Sequence, residues 1–536
     1  MKKTIALILA IVMMMALVAC GGDKPTSTPD ASSSTGDHNV ADIGDINKDQ
    51  QTPQVDETKA YKKELKLTVA SSIDKIDPHQ KTGAGPDTVY KMIYNQLVCY
   101  NWETKQLEPE LAESWTTESA TSYVFNLRKG VKFSNGEELT ADDFVFTYTE
   151  RPVAVGSPHA NVWEGIEKIE VINDYSFRIK LSKPDADLLL KSYLAYWAVL
   201  NREACVKDPE NGHLVGTGGW IVDSWSPKDH VTFVRNDSSW VWEESGMNPT
   251  EKVVFREMSE AAARAIALQN NEIAASASVS NSDLAALNAD ANVKTFTFNA
   301  ETLNYLLFNM NSGKFAENAK LRQALAYALN YEDIIELMTD GMAMRARSMW
   351  GKNQYGLYED YAEQYDNNID KAKALLAEAG YPNGGFAFTF LTASNDLGAL
   401  VKAQTEKAGF ICNVEITDSA GKSAAVKDGS FDLMDYSISL QPYGNRFDFI
   451  ADVADATNRA KYDNPDMDAR FTKALGETDD AKRKELYKGI QIELHEDLPY
   501  VPLYYSIRNV AYNKNVSGIQ WEPDTKADFT HIRWEE

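Results

Sequence analysis

The sequence predicts a mixed fold, α+β in character in its first half and α/β in its second. Two patterns predict it. Apolar and polar residues alternate with period 2 through short runs between positions 120 and 182, and apolar residues recur at helical spacing between positions 315 and 382. A third observation is size: the chain has 536 residues, and the roughly 475 that follow a polar N-terminal stretch suffice for two or three domains with large cores.

The chain opens MKKTIALILAIVMMMALVAC, with Lys2 and Lys3 ahead of fifteen apolar residues from Ile5 to Ala19. A helix of that length is short for a bilayer, and the order of basic, apolar and small residues is that of a secretory signal peptide, expected over residues 1–19. The ending LVAC, followed by GG, resembles the lipobox of bacterial lipoproteins, which implies lipidation of Cys20 and attachment to a membrane by acyl chains. Residues 20–60 are rich in Ser, Thr, Asp and Pro. They hold too few large apolar side chains to offset the entropy of ordering them, and a disordered tether is expected. About forty flexible residues have a root-mean-square reach on the order of 35 Å. No later apolar run reaches the roughly 18 residues of a transmembrane helix.

The formal net charge of −25 argues against a nucleic-acid partner, whose binders present basic faces to phosphate. A solvated acidic surface is the plainer account. Beyond Cys20 the cysteines are Cys99, Cys205 and Cys412. They are too few and too widely spaced for a disulfide framework, although one pair could form in an oxidising exterior. Small buried apolar roles are expected of them.

In YVFNLRKGVKFSNGEELTADDF, Tyr123, Phe125 and Leu127 alternate with polar residues as a strand, and Ser134-Asn135-Gly136 supplies a turn. Thr140 and Asp143 then stand in capping-box spacing ahead of an apolar run, which marks a helix start. IEVINDYSFRIKLSKP reads as two strands joined at Asn173-Asp174, a hairpin. In FAENAKLRQALAYALNYEDIIELM, the residues Leu321, Leu325, Ala328 and Leu329 share a helix face, with a second helix starting near Asn330. IDKAKALLAEAGYP carries Ile369, Ala372, Leu376 and Ala379 at helical spacing, closed by Gly380 as a left-handed cap and by Pro382. Short strands are expected at Phe386–Leu391 and Asn413–Ile416.

Catalytic and metal-site signatures are missing. The sequence has no G-x-S-x-G elbow, H-E-x-x-H, C-x-x-C or dinucleotide glycine fingerprint. GKS at Gly421–Ser423 has Ile416 where a P-loop needs a glycine. The histidines of the mature chain, His79, His159, His213, His230, His495 and His531 among them, form no i, i+4 metal pair.

The block LEPELAESWTTESATSYVFNLRKGVKFSNGEELTADDFVFTY resembles the signature region of the extracellular solute-binding proteins of family 5, which serve peptide, nickel and related ABC importers. The resemblance continues in GTGGWIVDSWSPKDHVTFVRNDSSW, LNYLLFNMNSGKFAENAKLRQALAYALNYEDII, DKAKALLAEAGYPNGG and LPYVPLYYSIRNVAYNKNVSGI. These blocks stand in the family's order and cover nearly the whole chain from about Leu65. What the resemblance implies is a two-lobed periplasmic-binding-protein-like clamp with an additional inserted domain and no enzymatic activity. Lobe I would comprise residues 61–98, 209–310 and 500–536, the inserted α+β domain 99–208, and lobe II 311–499.

The implied function is capture of oligopeptides between the lobes by a lipid-anchored, extracytoplasmic and monomeric receptor. A membrane permease would receive them, and an ATPase on another chain would drive transport. A different solute, such as a nickel–histidine chelate or an oligosaccharide, and sensing without transport are the alternatives. Peptide binders of the family commonly hold the ligand's α-amino group with an aspartate in a segment resembling D-Y-x-x-P. The matching segment here is ISLQPYGNRFD, 438–448, with Gln441 where that acid would lie, and an amide cannot neutralise an ammonium. PYGNRFD is also close to the W-G-x-x-Y-D-P-H pattern of the nickel-binding branch, with Tyr443, Gly444, Phe447 and Asp448 matching. Phe449 and Ile450 follow where that branch has its histidine, so no metal ligand is expected. The ligand-facing candidates carried over are Tyr443, Arg446, Gln441 and Asp448 in this segment, Thr82 and Gly83 after IDPHQ, and His159 in SPHAN. Asn101 and Trp102, at the edge of lobe I, complete the set. No cofactor and no catalytic residue are expected.

Overall fold

The computed structural model describes residues 58–192, 197–245, 249–440, 458–523 and 526–536. The strands of its first part are β1 (Glu64–Val69), β2 (Val98–Asn101), β3 (Gln106–Pro109), β4 (Ala112–Ser119), β5 (Ser122–Leu127), β6 (Ile166–Asn173) and β7 (Ser176–Leu181). Then follow β8 (Trp220–Ser226), β9 (His230–Arg235), β10 (Lys252–Glu257), β11 (Ala275–Val279) and β12 (Val293–Phe308). Next come β13 (Ala343–Arg345), β14 (Ala387–Thr392), β15 (Ile411–Ile416), β16 (Leu433–Ser439) and β17 (Tyr500–Asn513), followed by four two-residue strands, Val516–Ser517, Gln520–Trp521, Ala527–Asp528 and Arg533–Trp534.

The alternation at Tyr123, Phe125 and Leu127 is β5, and all three side chains are buried. The expected hairpin at Asn173-Asp174 joins β6 to β7. Together β4, β5, β7 and β6 make an antiparallel sheet in that order. One face of it packs on Phe144, Tyr148 and Trp197 in a core of its own. A sheet with one wet face gives a clean alternation, which is why this part of the fold could be read from sequence. The helix Ala141–Val145 starts where the capping residues stand, the Asp143 carboxylate accepting the Thr140 N–H at 3.0 Å.

The later helices also start at short polar side chains. Asn318 caps Ala319–Ala328, and Asn330 accepts two backbone N–H groups at the start of Tyr331–Thr339. Leu321, Leu325, Ala328 and Leu329 are all buried. Gly380, with φ 101°, follows the helix Ile369–Glu378 in the left-handed conformation that glycine adopts without a Cβ penalty. β14 and β15 lie at the two strands expected there and pair in parallel. Cys99, Cys205 and Cys412 are free thiols; Cys205 and Cys412 are buried and Cys99 is half-buried.

The main sheet has eleven strands, in the order β15-β14-β16-β12-β17-β11-β1-β10-β9-β8, with β13 beside β17. β12 and β17 run through its middle and serve two separate sets of cores. Val293 and Phe298 of β12 and Val510 and Ala511 of β17 bury with β1, β9 and β10 side chains or the neighbouring helices. Leu303, Leu306, Leu307 and Phe308 of β12, with Val501, Leu503 and Tyr505 of β17, bury with β14, β16 and the helices of the second half. Each such large apolar side chain contributes roughly 1.5–3 kcal/mol on burial, so both ends of each strand are firmly held. Between the ends the register breaks. Asn299 pairs with Ile507 and Thr302 with Ser506, which leaves Ala300 and Glu301 as the extra residues of a bulge.

Candidate functional site

The bulge places Glu301 where the sheet passes from one set of cores to the other. Its φ is 46°, a left-handed conformation costing roughly 1–2 kcal/mol for a residue with a Cβ. The residue is only 2 % exposed. Oε1 accepts hydrogen bonds from Asn299 Nδ2 at 3.0 Å and from Asn353 Nδ2 at 3.1 Å. Its backbone oxygen accepts the Leu440 N–H at 2.7 Å, one residue before the segment 441–457. Gly351 makes room for the carboxyl, because a Cβ at that position would collide with Oε2 of Glu301 and with Leu440. Burial raises the carboxyl to about 7, against hydrogen bonds from Asn353 and the charges of Lys105 and Lys352.

A second group of polar residues lies in the loop between β1 and the helix Ala84–Ile93. Arg151 grips Asp77 with both guanidinium arms, Nη1 to Oδ1 at 2.9 Å and Nη2 to Oδ2 at 2.6 Å. Burial opposes the Asp77 charge, but the hydrogen bonds and charge of Arg151 outweigh it and hold the carboxyl below its ordinary value. Gln80 donates to the Val155 oxygen at 2.8 Å, and Ser157 Oγ donates to the His79 oxygen at 2.5 Å. His79 stands edge-on to Trp163 with 4.8 Å between ring centres. Burial, helped by the Arg151 charge, pushes its imidazole down to about 3, so the ring is neutral. This network fastens the loop to the part of the chain that carries β4–β7.

That part also touches the second half of the molecule. Asp187, fully buried, is paired with Arg483 of the helix Asp480–Asp497 and accepts from Tyr487 Oη at 3.4 Å. The Ala186 N–H donates to the Leu475 oxygen at 2.8 Å. Separately, Asn281, in the helix after β11, donates from Nδ2 to the Thr339 oxygen at 3.1 Å.

Residues 106–459 match the profile of the bacterial extracellular solute-binding proteins, family 5. The chain belongs to that family. Over 474 residues it is 28 % identical to the heme-binding protein A of Haemophilus influenzae, across 81 % of this chain and 85 % of that protein. It is 25 % identical to the dipeptide-binding protein of Escherichia coli, across 82 % and 88 %. The solved structure of HbpA2 from Haemophilus parasuis superposes with a TM-score of 0.79 at 23 % identity, covering 88 % of this chain and all of that one. The fold is thus the two-lobed binding-protein clamp with an inserted domain, and family-5 membership makes the protein an extracellular solute binder. β12 and β17 are the strands that the two sets of cores share.

The structure brings three of the expected ligand-facing residues together. Thr82 Oγ1 and His159 Nε2 are 3.4 Å apart, and Gly83, with φ 136°, adjoins them and donates its N–H to Asp87 at 3.1 Å. Burial lowers the His159 imidazole. Asn101 and Trp102 lie elsewhere, at the end of β2. The Asn101 side chain is engaged locally, accepting from the N–H groups of Glu103 and Thr104 and donating to Glu108 at 2.7 Å. It lines a cavity of about 350 Å³ together with Glu110, Glu522, Asp528 and His531, which includes none of Thr82, Gly83 or His159. Trp102 is buried edge-on against Tyr100. Gln441, Tyr443, Arg446 and Asp448 lie outside the described residues, as does Cys20. Among the described residues no group of His, Cys, Asp or Glu is arranged to hold a metal ion.

Sequence reasoning passed over Glu301, Gly351 and Asn353. The signal for Glu301 was present in FTFNAETLNYLLF, where the alternation fails at Asn299-Ala300-Glu301. An acid at the break of a long apolar strand is a candidate bulge.

Proposed function

We propose that this chain is the ligand receptor of an ABC importer and that its ligands are oligopeptides. The observation that carries the reading is the two-lobed clamp of a family whose members matched here are repeatedly peptide binders. The relatives include the dipeptide-binding protein of Escherichia coli, and a solved neighbour from Bacillus subtilis is bound to a nonapeptide. Closing two lobes on a polar solute removes water from hydrogen bonds on both sides and strengthens them. The closed form is then the state a permease reads, populated in proportion to the ligand's preference for closed over open.

The same proposal covers residues 1–19 as a signal peptide, Cys20 as the lipidated residue, and 20–60 as the tether. It also covers the division into lobe I (61–98, 209–310, 500–536), inserted domain (99–208) and lobe II (311–499). The receptor acts as a monomer outside the cytoplasmic membrane, catalyses no reaction, and delivers to a permease driven by a separate ATPase. Tyr443, Arg446, Gln441 and Asp448 face the ligand from lobe II, and Thr82, Gly83 and His159 from the opposite side; Asn101 and Trp102, which lie apart from these three, are not part of that site. Heme is the second reading, favoured by the 28 % identity to a heme-binding protein.

The test is thermal unfolding of the purified protein with peptide pools, heme or nickel–histidine. Ligand at 100 times its dissociation constant adds about 2.7 kcal/mol, a rise of several degrees in Tm. A rise with peptides and none with heme supports the peptide reading. A rise with heme alone overturns it and keeps the binder.

A further inference from the structure

We infer that the cavity beside Asn101 is a second binding site and that it takes a small organic cation of the diamine class. The cavity measures about 350 Å³ and lies among the end of the helix Ala84–Ile93, the β2–β3 hairpin, the helix Trp240–Ser245 and the chain at Glu522 and Asp528. Thr82, Gly83 and His159 are not in its lining, so it can be filled whichever solute the clamp carries.

Charge points to a cation. Among the described lining residues are four acids, Glu108, Glu110, Glu522 and Asp528, and one lysine, Lys91. Lys91 is already paired with Glu522 at 2.6 Å. The other three carboxylates are held by neutral donors: Glu108 by Asn101 Nδ2 at 2.7 Å, Glu110 by Asn95 Nδ2 at 2.9 Å, and Asp528 by the Thr530 N–H at 2.8 Å. Such donors orient a carboxylate without cancelling its charge. Arg128 stands over the Trp240 ring at 5.3 Å and donates to the Glu110 backbone oxygen, but one arginine leaves the balance negative. His531, also in the lining, is neutral because burial lowers its imidazole. Burial raises the Glu110 carboxyl to about 7 against the Asn95 hydrogen bond and the Lys91 charge, and the Asp528 charge adds to the rise.

Unmet hydrogen bonds point to a ligand with N–H groups. Gln96 is 6 % exposed and lines the cavity, and among the described residues its side-chain amide has no hydrogen-bond partner. Glu110 Oε2 is also buried without one. Buried polar groups left unpaired destabilise a fold, and an ammonium group that reaches the Gln96 carbonyl and the Glu110 carboxylate satisfies both. Size and wall chemistry decide what carries the charge. The volume is that of roughly ten waters, too roomy for a bare ion and within the range of small-molecule pockets. Among the described residues no group of His, Cys, Asp or Glu is arranged to hold a metal ion. Tyr100, Pro109, Trp240 and Val241 supply apolar wall. Two ammonium groups on a short aliphatic chain match this lining, with charge for the acids and methylenes for the wall.

The experiment is calorimetric titration of the full-length protein, at about pH 8, with putrescine, a four-carbon diamine, and with its uncharged diol analogue. The variants Glu110→Gln and Gln96→Met are titrated in the same way. Gln96→Met removes no side-chain hydrogen bond of the folded protein, so it serves if Glu110→Gln fails to fold. A charge-assisted hydrogen bond corresponds to roughly 10–100-fold in affinity and a neutral one to roughly 2–10-fold. The expected result is binding of the diamine and not of the diol by the parent, weakened by the larger factor in Glu110→Gln and by the smaller in Gln96→Met. A folded parent that binds no diamine overturns the assignment. Equal binding of diamine and diol overturns the cationic ligand class. Parent affinity in both variants places the diamine elsewhere on the acidic surface and overturns the site.

Discussion

Asp77 and Glu301 are both buried carboxylates at junctions of this molecule, and they are neutralised in opposite ways. Asp77, in the loop after β1, meets a bidentate arginine from the segment between β5 and β6 and is held ionised below its ordinary titration range. Glu301, at the bulge of β12, meets two amides and titrates near 7 because burial dominates. A junction that carries its own counter-charge is complete without a ligand. One held by neutral amides has its charge set by pH.

The largest expected effect breaks the first junction. Arg151→Met leaves Asp77 buried and uncompensated, and should cost about 3–5 kcal/mol in urea unfolding at neutral pH. Asp77 titrates low in the folded state, so its stabilising contribution is present above the ordinary aspartate value and is lost as pH falls through the folded one. The difference between parent and variant should therefore narrow in acid; a difference that stays constant would show that the charge pair is not its source.

Glu301→Gln tests the second junction and has the opposite sign. Its folded titration is raised, so the contribution is fully present below the ordinary glutamate value and is lost as pH rises through about 7. The variant should be more stable than the parent by about 2 kcal/mol at pH near 8, and equal to it near pH 4.5, as read from Tm against pH. A variant less stable than the parent at alkaline pH would mean that the ionised carboxylate is compensated after all.

Gly351→Ala comes next, with an expected cost of about 1–2 kcal/mol from the collision with Glu301 and Leu440. Repeating it in a Glu301→Ala background should recover part of the loss, a coupling that a double-mutant cycle measures directly. The smallest effect on stability is expected of His159→Ala. Its contact with Thr82 at 3.4 Å is long, and about 0.5 kcal/mol or less should be lost in unfolding while ligand affinity falls.

Much of the fold was legible because it is local. The β5 alternation, the β6–β7 hairpin and the helices capped by Asn318 and Asn330 each depend on residues within a few positions of one another. What joins them is not local. The Asp77–Arg151 pair spans 74 positions and the Asp187–Arg483 contact 296, and no periodicity in a single sequence reports such partners. Family resemblance supplied the two-lobed plan and pointed to Thr82, Gly83 and His159, which lie together. It also pointed to Asn101, whose side chain is spent on its own turn. Glu301 escaped because a bulge is a local irregularity whose meaning comes from the strand beside it.

That neighbouring strand bears on how the molecule can be made. β17 begins only at Tyr500, yet it lies between β12 and β11 in the middle of the main sheet. A growing or truncated chain without it has β12 and β11 as two bare edges, each offering unpaired backbone groups to other chains. The last strand of the main sheet to be synthesised therefore joins its two halves. Assembly waits for nearly the entire polypeptide, and a chain cut shortly before Tyr500 should aggregate as two unfinished halves rather than fold as one shortened clamp.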